Sequence, residues 1–236
     1  MKLVDLNYLD SVGYNTLIGP GFHIQQNENL ASISTFNNLS QIDGDLNLAQ
    51  NPKLLSITGF NALTEISNAG KLLINRNFEL NEIVGFDNLN SVFDVKIWGN
   101  TDLTEINAFS TLSSIIEDLE IYSNENLSSI SFNNLASIGD TFDFNENNSI
   151  SNLEGFSSLT TIGGDFIISN NENISSLNGL SNLNSVFNIS IGNPNLSDLC
   201  GITNLIQSNG VAGEYFVGGN LFNPTMSDIM NGNCSL

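Results

Sequence analysis

A cluster of side chains between residues 75 and 145 has the types that do chemistry. Asp94, Asp118, Glu120 and Asp143 supply carboxylates, Lys96 a cation, Trp98 and Tyr122 flat rings, and Asn75 and Asn145 amides. Gathered carboxylates can hold Ca²⁺, which takes about six to eight oxygens. Two acids a fixed distance apart can hydrolyse a glycoside when burial keeps one protonated. Neighbouring rings can stack on a sugar or an aliphatic side chain. Spacing argues against the first two. No D-x-D-x-D-G calcium loop occurs, so Asp94, Asp118 and Asp143 are secondary Ca²⁺ candidates beside the plainer reading of a solvated acidic face. Hydrolysis needs a groove and a buried acid, which a flat solvated sheet does not offer. His23 is the single histidine, and no motif places a Ser or Cys partner beside it. Two cysteines and one histidine do not make a familiar zinc site either.

Residues some 24 positions apart meet only if the chain repeats, and it does. Phe36, Phe60, Phe86, Phe109, Phe132 and Phe156 share one position, continued by Leu180 and Ile202, at spacings of 24, 26, 23, 23, 24, 24 and 22 residues. Each unit reads Phe-x-x-Leu-x-x-Ile, an apolar-x-apolar triplet, an Asn, then Leu-x-x-Leu. From Phe156 these are Leu159, Ile162, Phe166, Ile168, Asn171, Ile174 and Leu177. No 3.6-residue period persists, and Gly and Asn interrupt every candidate helix. The triplets are therefore short strands with the middle residue outward. One unit cannot bury its apolar edge; stacked units share a core. Leu6, Leu9 and Val12 begin the same pattern, with a stretched corner at Gly13–Pro20, so eight coils start at residues 6, 36, 60, 86, 109, 132, 156 and 180. The expectation is an all-β parallel solenoid about 38 Å long.

Stacking turns repeat positions into rows. Asn27, Asn51, Asn77, Asn100, Asn124, Asn147, Asn171 and Asn193 form a structural ladder, each amide turned inward to satisfy backbone groups at a corner. The Phe row fills the interior. The outward triplet positions vary freely, and there Trp98 and Tyr122 share a column, each following a core Ile. Both rings should point outward and stand exposed, surrounded by Asn75, Lys96, Glu120 and Asn145. Exposed Trp is uncommon and favoured at interfaces. The alternative is that two cross-coil aromatics merely cover the sheet. An ice-binding face would want a regular row of Thr, which these heterogeneous columns lack.

The segments "NLSQIDGDLNLAQNPKLLSITGF", "SLTTIGGDFIISNNENISSLNGL" and "NPNLSDLCGITNL... NPTMSDIMNGNC" resemble the leucine-rich surface proteins of the receptor L-domain family, of the Bacteroidota type. Fungal cell-wall proteins with similar repeats are a second resemblance. The likeness covers nearly the whole chain. It implies a right-handed β-solenoid like the ligand-binding L domains of growth-factor receptors, and the repeat itself is scaffold rather than site.

Past Gly201 the period stops. "ITNLIQSNG" has the spacing of a short helix, and "EYFVGGNLFNPTMSDIMNGNC" offers a strand, a turn at Asn223-Pro224 and a helical turn near Thr225 or Ser227. The expected division is 1–201 repeats, with the corner 13–20, and 202–236 a mixed cap. A Cys200–Cys234 disulfide would staple that cap, though a free thiol pair is also open. The N-terminal side shows no cap, which points either to adjoining domains of a longer parent there or to a natural open end that another module covers. With 25 acids against 5 bases, net charge −20, the surface repels nucleic acid and anionic lipid. No apolar run long enough to span a membrane occurs. "MKLVDLNYLD" is not a signal peptide, because acids interrupt it; an extracellular or cell-surface protein would have lost its leader. These observations fit a non-catalytic, secreted or surface adhesion module that binds a glycan or protein and needs no cofactor, Ca²⁺ excepted. The rival is a structural spacer that displays another domain.

Overall fold

The computed structural model describes residues 11–12, 14–15, 19–67 and 69–236. Leu6 and Leu9 of the expected first coil, and positions 13 and 16–18 of the inserted corner, lie outside the described residues. What is described of that corner is an antiparallel pairing of Tyr14 with Pro20 and Asn15 with Gly19.

The repeats form a β-solenoid of stacked coils. Its principal face is a ten-stranded sheet in which the triplet strands follow one another in chain order, all parallel: Gly19–Gln25, Asp45–Ala49, Lys71–Asn75, Asp94–Trp98, Leu119–Tyr122, Phe142–Asn145, Asp165–Ser169 and Asn188–Gly192. Register is kept throughout, so Ile24, Leu48, Ile74, Ile97, Ile121, Phe144, Ile168 and Ile191 are successive partners. A second face carries the Ile of Leu-x-x-Ile, and a third the residue that ends Leu-x-x-Leu. Inside, the Phe row stacks face to face, with centroids 4.9 to 5.6 Å apart from Phe36 to Phe156.

The third face changes partway along the solenoid. Ile33, Ile57, Ile83, Ile106 and Ile130 end short strands there, but Leu153, Leu177 and Leu199 lead instead into 3₁₀ turns, Glu154–Phe156, Asn178–Leu180 and Cys200–Ile202. The switch follows side-chain branching. A β-branched Ile favours extended backbone, whereas Leu at the same position does not oppose a turn. The glycine inside each turn is also required, since a Cβ on Gly201 would collide with the Leu177 carbonyl oxygen.

At the corner after the principal strand the chain enters the left-handed region for one residue: Gln26, Gln50, Arg76, Gly99, Ser123, Glu146 and Asn170, with φ between 53° and 65°. The next residue is the repeated Asn. Each buried amide does two jobs. In Asn100, Nδ2 donates to the Ile74 carbonyl of the preceding coil at 3.0 Å, while Oδ1 accepts the Asn77 backbone N–H at 3.0 Å. The same pattern runs from Asn51 to Asn193. It does not stop at Asn193. The strand Tyr215–Val217 joins the principal sheet beside Asn188–Gly192, and Asn220 Oδ1 accepts the Asn193 N–H at 2.6 Å. Asn223 Oδ1 then takes both the N–H and Nδ2 of Asn220, which closes the ladder.

The cap expected over 202–236 therefore begins as one more, modified coil. Helix α1 (Thr203–Gln207) buries Leu205 and Ile206 over the end of the core. Helix α2 (Met226–Met230) starts with a capping box between Thr225 and Asp228 and buries Ile229. Cys200 and Cys234 are joined in a disulfide, with Cα atoms 4.9 Å apart. Beside it the Leu199 N–H donates to the Cys234 carbonyl at 2.8 Å.

Replacing Asn100 by Ala leaves a buried N–H and a buried carbonyl unpaired, each costing about 1–3 kcal/mol. Asn100→Ala should lower the unfolding free energy by about 2–4 kcal/mol, read from urea titration. Asn27→Ala, at the half-buried start of the ladder, should cost clearly less. Equal losses at both positions would contradict a burial-dependent role.

Candidate functional site

The sheet face brings Asn75, Trp98, Tyr122 and Asn145 into one column, each the direct partner of the next. Trp98 and Tyr122 stack with centroids 5.6 Å apart and planes 3° from parallel. They point outward but are half-buried rather than exposed. The cause is a residue the sequence reading did not select. Arg76, at the left-handed corner of the preceding coil, sets its guanidinium 4.7 Å from the Trp98 ring centre. Arg76 comes from the coil before Trp98 and Tyr122 from the coil after, so both faces of the indole are covered. The exposed two-ring platform is thereby corrected to a three-layer stack of Arg76, Trp98 and Tyr122, with Asn145 next to Tyr122 in the column. Asn75 is buried, with 8% of its surface exposed, and so does not form the open rim of a site.

The neighbouring columns hold the charges. Lys96 Nζ lies 2.6 Å from Glu120, 3.2 Å from Asp118 and 3.9 Å from Asp94. Lys71 Nζ meets Asp94 Oδ2 at 2.5 Å. Burial alone would pull the Lys96 ammonium down, but the hydrogen bond and charge of Glu120, with Asp118 and Asp94 behind it, hold it above its ordinary value. Asp94 was expected on the solvated surface. It is buried, 1% exposed, because its carboxylate is part of the scaffold: Oδ1 accepts the Asp118 backbone N–H at 3.1 Å. Asp118 does the same for the Thr141 N–H at 3.2 Å, and Asp45 for the Lys71 N–H at 2.9 Å.

This arrangement bears on the calcium candidates. Asp94 and Asp118 converge on an ammonium that belongs to the chain, and Asp143 binds Asn145 Nδ2 at 2.6 Å instead of joining them. Among the described residues no three His, Cys, Asp or Glu side chains are grouped to hold a metal ion. The Asp143 carboxyl has a raised pKa. Burial pushes it up and the Asn145 hydrogen bond opposes, with Glu120 and Glu146 adding to the rise. Burial and the Glu120 charge likewise raise the Tyr122 phenol.

His23 makes its described contact with Gln25, whose Nε2 lies 3.2 Å from His23 Nδ1. A larger groove, about 660 Å³, lies on the third face between Glu105, Ser129, Ser131, Asn133, Asn152 and Glu154. It marks the step where the strand at Ile130 gives way to the first 3₁₀ turn. It holds neither ring nor cation, so the sheet face remains the better candidate. Arg76 and Lys71 had a sequence signal: in a chain of 5 basic residues, Lys71, Arg76 and Lys96 fall within the 26 positions 71–96, just before Trp98. No family model matches the chain, and no curated protein matches it in sequence.

Asp143 gives a pH-dependent check with a defined sign. Its folded pKa is raised above the ordinary 3.8, so it favours folding when protonated and its contribution is lost as pH rises through the folded value. Asp143→Asn keeps an acceptor for Asn145 and removes the charge. The variant should melt higher than the parent at pH 7, and the gap should close near pH 3. A gap that widens toward acid would reverse the assignment.

Proposed function

We propose that this chain is a non-catalytic binding or adhesion module that grips a glycan or protein through its principal sheet face. The observation that carries it is the Arg76–Trp98–Tyr122 stack, fixed by cation–π and ring contacts on a rigid sheet. A pre-organised aromatic costs little entropy to bind with, and the outer side of Tyr122 adjoins the polar pair Asp143–Asn145. An aromatic ring beside fixed hydrogen-bonding groups suits the alternating apolar and hydroxyl faces of a sugar. Catalysis by the acids is disfavoured because Glu120 is neutralised by Lys96 and the face is not a cleft. The resemblance to receptor L-domain surface proteins supports the same reading, and the Cys200–Cys234 disulfide supports an oxidising, extracellular setting. Among the described residues no helix is long and apolar enough to cross a membrane. Recognition is proposed without calcium, since Lys96 already supplies the positive charge among the carboxylates.

The test is a broad glycan array together with an extracellular-protein array, probed with parent, Tyr122→Ala and Trp98→Ala, in calcium and in chelator. Tyr122→Ala should weaken the recognised ligand about tenfold, and chelation should change nothing. Trp98→Ala should act indirectly, through the loss of support for Tyr122. Retention of nothing by the folded parent on either array is the result expected of a structural spacer and would overturn the proposal.

A further inference from the structure

The first three coils carry a concave feature around the corner from the sheet face. Gln26 and Glu28, Gln50 and Pro52, and Arg76 and Phe78 flank the Asn ladder in three successive coils and line a groove of about 390 Å³. Phe78, which lies outside the buried Phe row, is 49% exposed there. Gln26 Nε2 donates to Gln50 Oε1 at 3.1 Å, and after that bond the two amides still hold unused donors and an acceptor. Arg76 closes one end. Lys71 and Lys96 are both neutralised by carboxylates, but among the described residues none lies within ion-pair range of Arg76. Its guanidinium carbon lies over the Trp98 ring, and among the described residues its side-chain N–H groups donate to no protein oxygen, which leaves them to bind.

We propose that this groove is a binding site for a sugar bearing a single carboxylate, a uronic acid residue within or at the end of an otherwise neutral glycan. The carboxylate takes the N–H edge of Arg76, the pyranose ring lies against Phe78 and Pro52, and its hydroxyls bond the Gln26 and Gln50 amides. The groove is polar in charge: Glu28 stands two coils, roughly 10 Å, from Arg76. A ligand with one acid and neutral hydroxyls suits that gradient. A polyanion does not, since its further charges meet Glu28 and a surface of net charge −20. The site shares Arg76 with the sheet-face stack but is otherwise separate from it, because Phe78, Gln50 and Pro52 take no part in the Tyr122 column.

Trp98 is the single tryptophan and lies under Arg76, so its fluorescence reports the guanidinium directly. The full chain would be titrated with cellobiouronic acid, its methyl ester and cellobiose, followed by fluorescence and by calorimetry. At about 0.15 M salt the distant acids are screened beyond about 8 Å. The free acid should bind about tenfold or more tightly than either uncharged form, as a charge-assisted bond implies. Arg76→Gln should abolish that preference, and Arg76→Lys should restore only part of it. Phe78→Ser, a change at a half-exposed ring, should weaken all three ligands, while Tyr122→Ala leaves them unchanged. Absence of saturable binding by the acid, or equal binding of acid and ester, would overturn the proposal. So would loss of binding in Tyr122→Ala with Phe78→Ser intact, which would move the site to the sheet face. Equal, Arg76-dependent binding of a peptide with a single glutamate would assign the groove to protein instead.

Discussion

The fold depends on one column of side-chain amides. A solenoid must turn a corner in every coil, and a corner leaves backbone N–H and carbonyl groups facing inward with no partner. Here each buried Asn supplies both a donor and an acceptor at that place, reaching the carbonyl of the coil before and the N–H of its Asn. A shorter hydroxyl could not span both, and a carboxylate could only accept. Because each amide binds its counterpart in the adjoining coil, the ladder also fixes register. A slip of one residue would break the hydrogen bonds and turn the triplet side chains inside out.

Fixed register is what makes the outer surface chemically meaningful. Side chains some 24 residues apart in sequence stand one strand spacing apart in space, so the surface is a grid of columns. In that grid Trp98 falls against Tyr122, and Lys96 against Glu120. The ion pairs contribute little to stability where water reaches them. Their larger effect is to hold long side chains in one arrangement beside the rings. Asp94 differs, since its carboxylate is buried and its removal would strand the Asp118 N–H and take the carboxylate from Lys71, while Lys96 would keep Glu120 and Asp118.

Arg76 owes its position to the corner and not to a strand. The left-handed residue before each Asn interrupts the strict alternation, so its side chain lies between the sheet face and the corner. In other coils this place is taken by Gln, Gly, Ser, Glu or Asn, and only here by a cation. One residue thus joins two surfaces, covering Trp98 on one and facing Phe78 on the other.

The repeat was legible in the residues themselves. The Phe row, the triplets, the Asn ladder to Asn193 and the strand and helices near Tyr215 and Thr225 all follow from spacing, because burial and backbone satisfaction repeat with the coil; Cys200 and Cys234 were open between a disulfide and free thiols until the fold joined them. The switch to 3₁₀ turns was also written there, as Leu153, Leu177 and Leu199 in place of Ile, but a branching difference is small beside the shared apolar pattern. Asn220 was hidden by its distance from Asn193, since a helix and a loop intervene where earlier coils have strands. For the candidate site the sequence could place Trp98, Tyr122, Lys96 and Glu120 on one face, as alternation determines which way a side chain points. How much of each side chain stays open to water is a matter of neighbours in three dimensions. Only the folded chain could bury Asp94 and Asn75, put Lys96 among the carboxylates, and lay Arg76 over Trp98, because those outcomes depend on side-chain reach across coils and not on the period that stacks them.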